Sequence, residues 1–301
     1  MRTYDGLELH VTTYGPEDAA INVVLAHSWT ADEADWHYQV RDLLTHFGHE
    51  IRIVTWDHRG HGHSEICGIS DCTIDNLARD MGDVIDHYAP SGRLVLAGHS
   101  IGGMTMTALP SSRPDLLPRI AGLLFVGTSS GRLNTVTLGL PEMGTFVRGQ
   151  VPRLLATRAR MMSRRTRRGS PRIERQVAQR FLFGRSARAR DVGLVVDQII
   201  NCCPETFSGY YADMMKHERT DALSAYDGVP TTVLVGSADL LTPPRHGRRI
   251  ATNIRGARFA VAPDAGHMLP LERPRLVSDE LIALVETAEG PAKRQAATAL
   301  R

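Results

Sequence analysis

The run Leu94-Val95-Leu96-Ala97, followed at once by Gly98-His99-Ser100-Ile101-Gly102-Gly103, leaves the chain few options. Four consecutive apolar residues predict a strand buried on both faces. A helix-compatible segment, 104–109, follows with no room for a loop, so the strand must turn sharply into a helix. A turn that tight strains the backbone at its apex, and the residues two before and two after must be nearly free of side chain. Gly98 and Gly102 meet that need. Ser100 then sits at the apex, its hydroxyl raised above the sheet and facing the N–H groups of the new helix. The pentapeptide Gly-x-Ser-x-Gly is common by chance, and its strand–turn–helix setting is what makes it informative.

The same alternation runs through the chain. Strands are predicted at 7–13, 21–26, 51–56, 120–126, 231–235 and 257–261, and helices at 36–47, 104–109, 244–254 and 271–286. A further helix runs to Tyr88 from a cap at Thr73. Strands and helices in alternation imply right-handed crossovers on a mostly parallel sheet flanked by helices. Between 131 and 216 the alternation lapses into helical stretches broken at Pro152, Gly169-Ser170-Pro171, Gly184 and Pro204. The expected organisation is one α/β core in two segments, 1–130 and 217–290, with a helical, arginine-rich cap at 131–216 and a frayed tail at 291–301.

Composition bounds the compartment and the partners. Hydrophobic residues make up 42% of the 301, ample for one core, and the formal net charge is only +2. That balance hides an asymmetry: from Arg148 to Arg190 there are fourteen arginines and one acidic residue, Glu174. The plain reading is a cap helix with a solvated charged side. The sharper one is contact with an anionic membrane surface or an anionic substrate, Arg164, Arg165, Arg167 and Arg168 being the densest group. Arginine without interleaved aromatics gives nucleic acid little support. The N-terminus lacks an apolar signal region and no run is long enough to cross a bilayer. Cys67, Cys72, Cys202 and Cys203 lack metal-ligand spacing, so reduced thiols in a cytoplasmic protein, peripheral to membrane at most, are expected. Oligomeric state is left open.

A serine hydroxyl needs a base, and the base needs an acceptor that fixes its tautomer. Two downstream strands run into loops carrying Asp239 and His267, each past the carboxyl end of a parallel strand. Asp264 is the rival acid, close in sequence to His267. An oxyanion requires two donors: the Ile101 N–H directly after the serine, and one from the loop His27-Ser28-Trp29, with Trp29 preferred over Ser28. His58, His61 and His63 invite a metal reading, but no carboxylate or cysteine of suitable spacing stands beside them in sequence, so no metal is assigned.

On His27, Asp57-x-Arg59-Gly60-His61-Gly62-x-Ser64, Gly98-x-Ser100-x-Gly102, Asp239 with Thr242-Pro243, and Gly266-His267, the chain resembles the α/β-hydrolase superfamily. Within it, the resemblance is to cap-bearing esterases and to monoacylglycerol-lipase-like and lysophospholipase-like enzymes. It spans Leu7 to about Glu286, weakly through the insertion. It implies the α/β-hydrolase fold and a cofactor-free serine hydrolase acting on a carboxylic ester such as an acylglycerol or lysolipid. Ser100, His267 and Asp239 would be the triad, with Ser28, His99, Met161, Met162 and Met268 lining the substrate. Asp57 and Arg59 would brace the turn. Ser28 stands where the family has glycine, which puts a Cβ in a tight loop. Serine at position 100 argues against epoxide hydrolases and dehalogenases, which use aspartate there. A thioesterase and a perhydrolase or haloperoxidase would employ the same triad. A non-catalytic binding protein of this fold normally loses a triad member, and here all three stand.

Overall fold

The computed structural model describes residues 1–133, 172–185 and 187–290. Seven strands form one sheet: β1 Val11–Tyr14, β2 Ile21–Ala26, β3 Arg52–Trp56, β4 Arg93–His99, β5 Ile120–Val126, β6 Thr231–Gly236 and β7 Arg258–Ala262. The order is β1-β3-β2-β4-β5-β6-β7, and only β1 is antiparallel to its neighbour. The elbow strand β4 lies in the middle, in register with β2 at Leu96–Val24 and with β5 at Leu96–Leu123.

The strands alternate strictly in what they bury. Val24, Leu94, Leu96, Leu123 and Phe125 belong to the core on one face. That core is shared with α2 (Ile74–Tyr88), α3 (Ile101–Ser112) and α7 (Pro244–Thr252). Val23, Leu25, Val95, Ala97, Leu124 and Val126 belong to the core on the other. There they meet α1 (His37–Phe47) and α8 (Pro274–Glu289). Side chains of successive strand residues point to opposite faces, so a strand covered on both must be apolar throughout. That is why the central strands read as unbroken hydrophobic runs.

Boundaries depart from expectation where local chemistry intervenes. The edge strand is only Val11–Tyr14, with a single bridge from Arg2 to Glu8 before it. The helix expected over 271–286 is split: a helical turn at Leu269–Glu272 ends at Arg273, and α8 starts afresh at Pro274. Proline has no N–H to continue a helix but suits a first helical position. The α3 helix begins at Ile101, directly after the serine, and runs through Pro110. Thr73 caps α2 as expected, its Oγ1 accepting from the Asn76 N–H at 3.1 Å.

Between β5 and β6 the described residues form α4 (Arg172–Leu182), α5 (Ala189–Asn201) and α6 (Pro204–Met214). Phe183, Val192, Val195 and Val196 pack with Tyr38, Met268 and Leu271 of the core. Tyr210 and Met214 of α6 pack with Ile74, Leu77, Ile101 and Met104. Met161, Met162 and the group Arg164, Arg165, Arg167 and Arg168 lie outside the described residues. Among the described residues no helix is long and apolar enough to cross a membrane.

Candidate active site

The elbow takes the conformation its glycines predict. Ser100 has φ 54° and ψ −115°, a left-handed region that costs an L-residue on the order of 1–3 kcal/mol. A Cβ on Gly98 would stand 2.4 Å from the Gly102 carbonyl carbon, and one on Gly102 would stand 2.2 Å from the Ala26 carbonyl oxygen. The serine is pinned on both sides: its N–H donates to Val126 O at 2.9 Å, and its carbonyl accepts from Thr128 Oγ1 at 2.6 Å. β5 thus holds the apex from below. The Ile101 N–H opens α3, and neither it nor the Trp29 N–H has an acceptor among the described residues. Both expected oxyanion donors are therefore free. The Ser28 N–H is not, because it donates to Asp35 Oδ2 at 3.0 Å. Ser28 has no positive φ, so its Cβ fits the loop; the left-handed residue there is Thr30 at 65°.

Asp239 and His267, far apart in sequence, meet: His267 Nδ1 lies 2.9 Å from Asp239 Oδ2. Asp239 is fully enclosed, and its other contacts come from one tight turn. The Leu241 and Thr242 N–H groups donate to Oδ1 at 2.8 and 2.9 Å, and Thr242 Oγ1 donates to Oδ2 at 2.8 Å. Burial alone would raise the carboxyl's pKa, but the His267 ring and the Thr242 bonds outweigh it and hold the group below its ordinary value. An ionised acid behind an imidazole nitrogen is what fixes the tautomer of a general base. Asp264, the rival, is exposed in a left-handed turn at φ 55°, with its N–H bonded to Ser237 Oγ.

Two expected substrate-wall residues are placed otherwise. His99 has no exposed surface, and both ring nitrogens are engaged, Nδ1 with Asp35 Oδ2 at 2.7 Å and Nε2 with the His267 carbonyl at 2.9 Å. It links the loop of Ser28 to the loop of His267 behind the serine and offers a substrate nothing. Met268 is buried in the joint with Phe183 and Val192. Ser28 is also buried. Burial would lower the His99 pKa, but the Asp35 charge and the two hydrogen bonds raise it; for Asp35 burial would raise, and His99 with Ser28 bring it down.

His58, His61 and His63 are not gathered around one point: His58 and His61 pack with His27, and His63 lies elsewhere. His27 Nε2 accepts from the His58 N–H at 2.8 Å, so its proton is on Nδ1, 2.7 Å from Ser28 O. His58 Nε2 donates to His27 O at 3.0 Å, and His61 Nδ1 to Arg59 O at 3.2 Å. Burial pushes the pKa values of His27, His58 and His61 down, that of His61 to about 4, so these three rings are neutral. His63 points outward, and β1 brings His10 to it beside Asp57, their ligand atoms within 4.8 Å of one another. The sequence did not reveal that trio, because His10 precedes it by a strand. Asp57 already accepts from the Glu33 and His63 N–H groups, at 2.8 Å each. Arg59 forks onto Asp80 at 2.7 and 2.5 Å and reaches Asp5 at 2.9 Å. Both residues brace the turn.

Sequence reasoning missed three supports: Asp35, Leu182 and Glu272. Leu182, the last residue of α4, accepts the His267 N–H at 2.8 Å through its carbonyl. Glu272 bridges Gly184 and Gly266, accepting their N–H groups at 2.7 and 2.9 Å. No motif marks them; an aspartate just before the buried Trp36 was the only hint at Asp35.

A family model described as "Alpha/beta hydrolase family" matches residues 23–280. The 3-oxoadipate enol-lactonase 1 of Acinetobacter baylyi is 25% identical over 269 residues, covering 89% of this chain and 90% of its own. The enol-lactonase of Burkholderia xenovorans LB400 has a similar structure, with a TM-score of 0.72 at 25% identity over 93% of this chain and 97% of its own. A thermophilic esterase of Thermogutta terrifontis has a TM-score of 0.71 at 24% identity, covering 96% of each chain.

Proposed function

Because the chain belongs to the alpha/beta hydrolase family, we propose that it is a serine hydrolase that cleaves a carboxylic ester through an acyl-enzyme on Ser100. The carrying observation is the enclosed Asp239–His267 pair, whose histidine carbonyl is bonded to His99, the neighbour of a serine held at φ 54° before the N-terminus of α3. In this reading His267 takes the Ser100 proton as Oγ attacks the ester carbonyl, and Asp239 stabilises the imidazolium that forms. The tetrahedral oxyanion is held by the Ile101 and Trp29 N–H groups. Collapse expels the alcohol, which receives its proton from His267. Water then repeats the sequence on the acyl-serine, with His267 as base again.

The chemistry needs no cofactor. The inserted helices α4–α6 act as the cap, and Trp29 stacks toward Phe207 of α6 with ring centroids 4.3 Å apart. The substrate is a small acyl ester, an acylglycerol or lysolipid being the first class to test. The enol-lactonase relatives support adding lactones, and the shared mechanism adds thioesters.

A fluorophosphonate probe should label Ser100, located by peptide mass, and Ser100→Ala should remove label and turnover while the protein stays folded. Adding His267→Ala should then cost little more, since triad members act as a unit. Asp239→Asn should lower kcat by about 10⁴ through the wrong His267 tautomer, whereas Asp264→Asn should be mild. Substantial hydrolysis by Ser100→Ala would exclude the covalent mechanism, and a reversed pair of aspartate effects would exclude the assigned acid.

A further inference from the structure

Where the inserted helices meet the core there is a second concave site, apart from the serine. A cleft of about 580 Å³ opens beside Tyr38, lined by Arg41, Arg188, Arg190, Arg273 and Arg275. Small-molecule sites span roughly 300–1,000 Å³, so the volume suits a ligand rather than a single water. Two of its arginines come from the insertion and three from the core.

Charge is not balanced there. Arg41 donates to Asp42, and Arg190 lies 3.5 Å from Asp191. Glu272, the carboxylate in the wall, is already engaged by the Gly184 and Gly266 N–H groups. Among the described residues Arg188 and Arg275 have no carboxylate partner, while Arg273 offsets the Glu272 charge. Arg273 donates to the carbonyls of Glu272 and Pro263, at 3.2 and 3.0 Å, and Arg188 to Tyr38 Oη at 3.1 Å. The guanidinium carbons of Arg41, Arg188 and Arg190 stand 5.2, 5.5 and 5.4 Å from the centre of the Tyr38 ring. One aromatic ring thus gathers three cations around it, and Tyr38 Oη in turn donates to Asp191 at 3.0 Å.

The cleft also contains the start of α8, a sixteen-residue helix with no side-chain cap and no acid in its first turn. A helix N-terminus favours negative charge, and here the flanking residues are Arg273 and Arg275, the unfavourable sign. An anion in the cleft removes both conflicts at once. We infer that this cleft binds a phosphoryl group, carried by a soluble phosphate ester or by an anionic lipid headgroup. Planar guanidinium forks and open helix N–H groups match several phosphate oxygens together. Five guanidinium groups facing one wall carboxylate suit a multiply charged group better than a single carboxylate. The site does not depend on the hydrolase reading, and no catalytic residue lines it.

The test is isothermal titration of the full chain with inorganic pyrophosphate at low salt. Parent and Arg188→Gln/Arg275→Gln are compared with a control, Arg2→Gln/Arg255→Gln, that removes the same charge outside the cleft. The double cleft variant should bind at least about tenfold more weakly, since it loses two charge-assisted donors, while the control binds as the parent does. Its melting temperature and its turnover of a short soluble ester should match the parent's. Sedimentation with phosphatidylcholine vesicles, with and without phosphatidylglycerol, separates the sources. Anionic-vesicle binding that the cleft variant loses and pyrophosphate competes assigns a headgroup; pyrophosphate binding without it assigns a soluble ester. Absence of pyrophosphate binding, or equal loss in variant and control, overturns the site.

Discussion

At His99 the Nε2 atom faces the carbonyl oxygen of His267 and has to donate, while Nδ1 faces an Asp35 oxygen that already accepts from Ser28. A second proton must lie between ring and carboxylate, and the raised His99 and lowered Asp35 pKa values put it on the ring. The pair is a buried imidazolium–carboxylate. Its contribution is complete only above the ordinary carboxylate range and below the ordinary imidazole range. It fades as pH falls through the lowered Asp35 value, and again as pH rises through the raised His99 value. Asp35→Asn should therefore destabilise by about 3 kcal/mol near neutrality. The gap from the parent in melting temperature should narrow toward high pH; a gap constant across pH 6–10 would contradict the pair. Ser100, Asp239 and His267 were legible because turn chemistry and strand-end loops announce them. Asp35 was not, because a carboxylate's partner is chosen by the sheet order rather than by its neighbours in sequence.

Helices and strands show the same division. Runs apolar on both faces gave β2 and β5 to the residue, and Thr73 gave the start of α2. The pairing of β5 with β6 across the whole insertion carries no local signal. Nor does the way α6 completes another helix: Asp213 Oδ2 accepts the Ile74 N–H at 2.8 Å, a donor left free at the start of α2. Asp213→Ala should cost about 1 kcal/mol, the usual worth of an N-terminal cap. Thermal unfolding would measure it, and protection of the first α2 amides in hydrogen exchange should drop with it. Tyr210 Oη, donating to Arg59 O at 3.2 Å, gives α6 a second anchor.

For the molecule as a whole, the response to acid follows from its buried neutral histidines. The His61 and His217 pKa values are each pushed down to about 4, in both cases chiefly by burial. The unfolded chain binds these protons at about 6.5. Stability therefore begins to fall below that pH and has lost the full contribution by about pH 4, roughly 3 kcal/mol for each ring. His61→Gln should flatten this limb in denaturant titrations at pH 4–7, and an unchanged acid limb would show the ring to be protonated in the fold. The links from the insertion to the histidine loop have a different consequence, for protein engineering. Leu182 O holds the His267 N–H, and Glu272 ties Gly184 to Gly266. A chimera that exchanges the cap with that of a relative must therefore keep residues 182–184 with the recipient. A splice placed after them would import a foreign backbone beneath the general base, and the hybrid would fold with its new roof and an unseated histidine.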